Sequence, residues 1–96
     1  MTIEAVKSDL KEVKFYYAHR EIYARALAES KNQIVKLVGV YEDYMEKAPA
    51  ELFALYHCLI IEGKSRNQVI DEWHISLTHL KMLYSRLCLY LADVQN

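Results

Sequence analysis

The chain has 96 residues, enough for one hydrophobic core and too few for two. It is 53% hydrophobic and 26% charged with only two glycines and one proline, a scarcity of breakers that predicts an all-α fold and argues against sheets. A formal net charge of −1 excludes a generally basic nucleic-acid binder, so any such role must rest on where the charge sits.

From Thr2 to about Ala28 the apolar residues Ile3, Val6, Leu10, Val13, Tyr17, Ala24 and Leu27 recur at three and four, broken by Arg20. That spacing predicts one long helix, packed on its own domain or paired in a coiled-coil seam. Its other face, with Lys14, Tyr16, His19 and Tyr23, suits half-buried tyrosines covered by lysine stems; a basic-aromatic face of this kind also stacks on nucleic acid. Ser30-Lys31-Asn32-Gln33 reads as a capping box, which favours a break near Glu29 and a second helix from Lys31 to Lys47. The three-four pattern nevertheless runs on through Ile34, Val38, Tyr41 and Met45. One unbroken helix of about 45 residues, roughly 68 Å long, is the alternative, and it would demand a partner. Gly39 inside the second helix costs about 1 kcal/mol relative to alanine, and close approach by a neighbouring helix would account for it.

Pro49 opens the next helix and Gly63 closes it, with Leu52, Leu55, Tyr56, Leu59 and Ile60 as its buried face. Ser65 then caps a short helix, with Gln68 placed to reach back, and Val69, Ile70 and Trp73 share one side of it. Ser76 offers a further N-cap, behind which Leu80, Leu83, Tyr84 and Leu87 recur at three and four. Only His74 and Ile75 separate Trp73 from that cap. Two short capped helices joined this tightly make a helix-turn-helix, a shape that often lays its second helix in the major groove. The last helix runs on through Leu89, Tyr90, Leu91 and Val94, so apolar all round that the N-terminal half, from this chain or a twin, is expected to cover it. Charge is segregated to match. Lys64 to Leu87 holds four basic residues and two acids, whereas Tyr41 to Glu51 holds one lysine and four acids.

The block APAELFALYHCLIIEGKSRNQVIDEWHISLTHLKMLYSRL, Ala48 to Leu87, resembles region 4 of the sigma-70 family. The resemblance lies in the proline-started helix, the Glu62-Gly63 pair, the serine-capped helix and the Ile75-Ser76 turn, with the spacing intact. The chain is also similar to the phage late-operon activators of Gram-positive bacteria (RinA/ArpU type), which carry a sigma-like C-terminal half. Two residues depart from the pattern: Ile70 stands where a small alanine is preferred, and His74 where glycine is. The second substitution puts a side chain where left-handed backbone is expected, at about 1–2 kcal/mol.

The resemblance implies an N-terminal packing or dimerisation segment (1–47) followed by a helix-turn-helix module (48–96). Its recognition helix, 77–92, would present Leu77, Thr78, Lys81, Met82 and Ser85 to base edges, with Lys81 best placed for guanine. Lys64, Arg66, Ser76 and Arg86 would contact phosphates. The implied function is a DNA-binding transcriptional regulator of phage or prophage type, working as a homodimer on double-stranded DNA, with RNA polymerase as a further candidate partner. Two other classes fit the same shape: a DNA-packaging protein like a terminase small subunit, and an adaptor that binds only protein.

No enzymatic constellation is present, and no cofactor or metal site is expected. His19, His57, His74 and His79 share no ligand spacing with Cys58 and Cys88 or with each other. His57 and Cys58 are adjacent on a helix and so point about 100° apart. The two cysteines, at apolar helical positions, read as structural thiols of a reducing cytosol. The opening Met-Thr-Ile-Glu is no signal peptide, and the apolar run Leu52 to Ile61, interrupted by His57, is too short to span a bilayer. A cytoplasmic location with no membrane partner is expected.

Overall fold

A computed structural model describes residues 1–22 and 33–95, and over these the chain is all-α. Helix α1 spans Ile3–Ala18, α2 Gln33–Glu46, α3 Ala50–Tyr56, α4 Arg66–Trp73 and α5 Leu77–Val94; a π-helical turn, His57–Ile61, continues α3.

Helix α1 starts where Thr2 Oγ1 accepts the Ala5 N–H at 3.1 Å. Its end corrects the expected helix to Ala28. His19 leaves helical geometry (φ −129°, ψ 36°), and its backbone N–H is shared between the Phe15 and Tyr16 carbonyls. The His19 ring stacks on Phe15 at 4.1 Å, and its Nδ1 lies 3.0 Å from Phe15 O. Arg20, which broke the apolar spacing, turns its guanidinium over the Tyr17 ring, 4.8 Å from the centroid. The unbroken 45-residue helix is thereby ruled out, and the longest dimension of the molecule is only 44 Å. The cap expected at Ser30, together with Tyr23, Ala24 and Leu27, lies outside the described residues.

A single apolar cluster draws on both halves of the chain. Val6, Leu10 and Val13 of α1 and Val38, Tyr41 and Met45 of α2 join Leu55, Tyr56, Leu83, Leu87 and Leu91 from the rest. Helix α1 packs on α2, on the π-helical turn and on α5, while α3 braces α5. The N-terminal half of the same chain thus covers much of the last helix. Polar ties reinforce the packing: Tyr41 Oη donates to Asp9 Oδ2 at 2.7 Å, and Tyr90 Oη donates to the Tyr44 carbonyl at 2.8 Å.

Two local expectations need correction. A Cβ added at Gly39 would meet nothing within 4 Å, so no neighbouring helix approaches there among the described residues. The helix from Pro49 widens at His57, where the Glu62 N–H reaches back five residues to the His57 carbonyl at 2.9 Å. In that wider turn Ile60 is buried but Leu59 only half-buried. Gly63 ends the segment with φ +69°, the left-handed geometry a glycine adopts without penalty.

Candidate nucleic-acid interface

The helix-turn-helix is built by its caps. Ser65 Oγ accepts the Gln68 N–H at 3.2 Å and Gln68 Oε1 accepts the Ser65 N–H at 2.8 Å, a complete capping box that starts α4. Three residues later than Trp73, Ser76 Oγ accepts the His79 N–H at 3.0 Å and starts α5. Between the caps His74 sits in the left-handed region (φ 54°, ψ 46°), and the N–H groups of His74 and Ile75 both return to the Ile70 carbonyl. This is the αL stop expected where the sigma-like pattern prefers glycine. Val69 is fully buried, while Ile70, Trp73 and Ile75 pack half-buried against the core and set α4 against α5.

The first three turns of α5 divide cleanly. Leu80, Leu83 and Leu87 face the core. Thr78, Lys81, Ser85 and Arg86 are exposed, as are Leu77 at 46% and Met82 at 44%. All five residues expected to face base edges therefore lie on open surface. Of the four expected at phosphates, Arg66 and Arg86 are exposed. Arg86 lies 3.9 Å from Glu51, a loose and exposed pair of little strength. Ser76 spends its hydroxyl lone pair on the helix cap.

Lys64 is differently placed. Its Nζ donates to Glu72 Oε2 at 2.7 Å and sits 3.1 Å from Glu62 Oε2. The two carboxylates raise the lysine's pKa above its ordinary value, chiefly through the Glu72 hydrogen bond, and Lys64 in turn holds the Glu62 carboxyl below its usual range. Glu62 also contacts His57 Nδ1 at 2.8 Å. His57, next to Cys58 in the chain, thus faces a carboxylate. Cys88 is buried, and that burial raises its thiol pKa, which suits an inert core residue. Among the described residues no cluster of His, Cys, Asp or Glu has metal-binding geometry, and no helix is long and apolar enough to cross a membrane.

Protein families, curated proteins and solved structures offer this chain no match. Geometry alone must carry the assignment. It adds one element that the sequence reading missed, a groove of about 500 Å³ between α1 and the helix-turn-helix. Six cations line it: Lys7, Lys11 and Lys14 of α1, Lys64 and Arg66 beside the α4 cap, and Lys81 of α5. No carboxylate lines it among the described residues. The α1 lysines recur at i, i+4 and i+7, so one face of that helix is a basic stripe. That spacing is the signal in the sequence, masked there by Glu4, Asp9 and Glu12 interleaved along the same helix.

Proposed function

We propose that the chain is a DNA-binding transcriptional regulator of the phage or prophage kind, with a sigma region 4-like module that enters the major groove through the N-terminal turns of α5. The single observation that carries this reading is the open face from Leu77 to Arg86 on a doubly capped helix, with the core-facing side buried behind it. Lys81 is the candidate for a guanine edge, with Thr78 and Ser85 as its hydrogen-bonding neighbours. Arg66 and Arg86 are the candidates for phosphates on either side. A cytoplasmic homodimer would set two such helices about 34 Å apart, one turn of duplex.

Leu77 and Met82 favour a second reading. Two large apolar side chains on the same exposed face suit a protein partner such as RNA polymerase, contacted without DNA. Titration of labelled duplex from upstream of the protein's own operon, at two salt concentrations, separates the two readings. A regulator binds with an affinity that falls steeply with salt. An adaptor shows no duplex affinity even at low salt.

A further inference from the structure

We propose that the groove between α1 and the helix-turn-helix is a binding site for a run of phosphates, and that its occupant is one strand of the duplex backbone beside α5. The identity of that occupant rests on the DNA-binding reading above; the phosphate chemistry of the groove does not.

Charge and packing point the same way. Lys7, Lys11, Lys14, Arg66 and Lys81 make no ion pair with a carboxylate among the described residues, although Glu4, Asp9 and Glu12 lie on the same helix as the first three. Lys7–Lys11 and Lys11–Lys14 are like-charge neighbours at i,i+4 and i,i+3, an arrangement that destabilises an isolated helix. A polyanion laid along that stripe would relieve the repulsion. The groove floor includes Leu10, Ile60 and Leu80, buried apolar residues that lower the local dielectric and strengthen any charge above them. Ser65 and Ser85 add hydroxyls at the rim.

Length and continuity favour a nucleic-acid strand. From Lys7 to Lys14 is about 10.5 Å at 1.5 Å per residue, enough to face two or three consecutive phosphates when a strand advances at least ~3.4 Å along the axis per phosphate. Lys81 and Ser85 belong both to the groove and to the exposed face of α5, so a strand held here would run directly beside the base-reading side chains. Helix α1 thus extends the footprint beyond the helix-turn-helix itself.

The test compares the full chain with K7Q/K11Q/K14Q and with K36Q/K47Q, whose lysines lie outside the groove. Duplex affinity is measured against salt, tripolyphosphate binding by calorimetry, and folding by thermal melting. The triple variant should melt at the same temperature or higher, flatten the salt slope by about 1.8–2.7 at about 0.9 per lost contact, and lose tripolyphosphate; the control should keep the wild-type slope. If the triple variant is unfolded, K11Q alone is read in the same way, with a slope change of about 0.9. Wild-type DNA binding with an unchanged slope in the lysine variant overturns the groove and leaves the regulator reading standing. Absence of duplex binding, with tripolyphosphate bound and lost in the variant, overturns the regulator reading and makes a free phosphorylated ligand the occupant. Binding of neither overturns both.

Discussion

Lys64 Nζ lies 2.7 Å from Glu72 Oε2, which ties the residue before the α4 cap to the last turn of the same helix. With Glu62 on its other side, this lysine lines the basic groove but offers it little net charge. Glu72→Gln should therefore free part of that charge, tighten duplex binding at low salt and steepen the salt slope by up to about 0.9. Lys64→Ala should change the slope far less than Arg66→Ala. Anisotropy titrations across a salt series give all three numbers. A flat response to Glu72→Gln with a large one to Lys64→Ala would mean that phosphate already outcompetes the carboxylates.

Base reading and backbone holding separate by residue. Lys81→Ala should cost about 1–3 kcal/mol at the cognate site and much less on random duplex. Arg66→Ala should weaken every sequence alike and lower the salt slope by about 0.9. Parallel titrations with cognate and scrambled duplex distinguish them, and equal losses on both duplexes for both variants would remove direct readout by α5.

Much of the module was legible because its signals are local. Ser65 with Gln68, Ser76, and the position of His74 each depend on residues within one or two turns, and each adopts the geometry its type implies. The end of α1 and the groove were not legible, for a different reason. His19 folding onto Phe15 and Arg20 onto Tyr17 are side-chain choices that periodicity does not encode. The Lys7-Lys11-Lys14 stripe acquires its neighbours Arg66 and Lys81 only when α1 packs across the module, more than fifty residues away in sequence. Nothing local to Gly39 marked its surroundings as open either.

His74 carries left-handed backbone on an exposed side chain, so its strain is not offset by packing. His74→Gly should stabilise the fold by about 0.5–1 kcal/mol once glycine's greater freedom in the unfolded chain is subtracted. His74→Val, β-branched and poorly tolerated at positive φ, should destabilise by a similar or larger amount. Each kcal/mol corresponds to a shift of about 4–8 °C in a thermal melt of a chain this size. Neither change should alter the salt slope, because His74 is absent from the groove and from the exposed face of α5.

Two buried tyrosines should respond oppositely to loss of a hydroxyl. Tyr41 Oη donates to Asp9 and accepts from Gln95 Nε2 at 3.3 Å, linking α1, α2 and the end of α5. Tyr41→Phe should cost about 1–2 kcal/mol, since the acceptor is a charged carboxylate that is only partly exposed. Tyr56 Oη is buried with no hydrogen-bond partner among the described residues. Tyr56→Phe removes that unsatisfied group and should stabilise by about 1 kcal/mol. Denaturant melts on the two single variants decide the matter, and a destabilised Tyr56→Phe would mean that the hydroxyl has a partner after all.

The same tyrosines set the alkaline limit of the fold. Burial is the largest cause raising the pKa of Tyr41 and of Tyr56 well above 10, with the Asp9 hydrogen bond adding to the first and the Glu42 charge to the second; burial pushes Tyr84 up to about 12. In the unfolded chain each would titrate near 10. Below that pH both states hold the proton and stability is unaffected; above it the unfolded state gives up protons that the folded state keeps, so stability falls. For fully buried Tyr41 and Tyr56 the loss approaches about 1.4 kcal/mol per pH unit each until the folded groups themselves ionise. Melting midpoints should begin to fall above about pH 8.5, where the Cys88 thiol ionises in the unfolded chain but is kept protonated by burial in the folded one, and should drop more steeply above about pH 10, with phenolate absorbance rising cooperatively at the unfolding transition. Tyr56→Phe should flatten that drop, and a wild-type phenolate titration completed smoothly near pH 10 without unfolding would show that these hydroxyls are not held in the core.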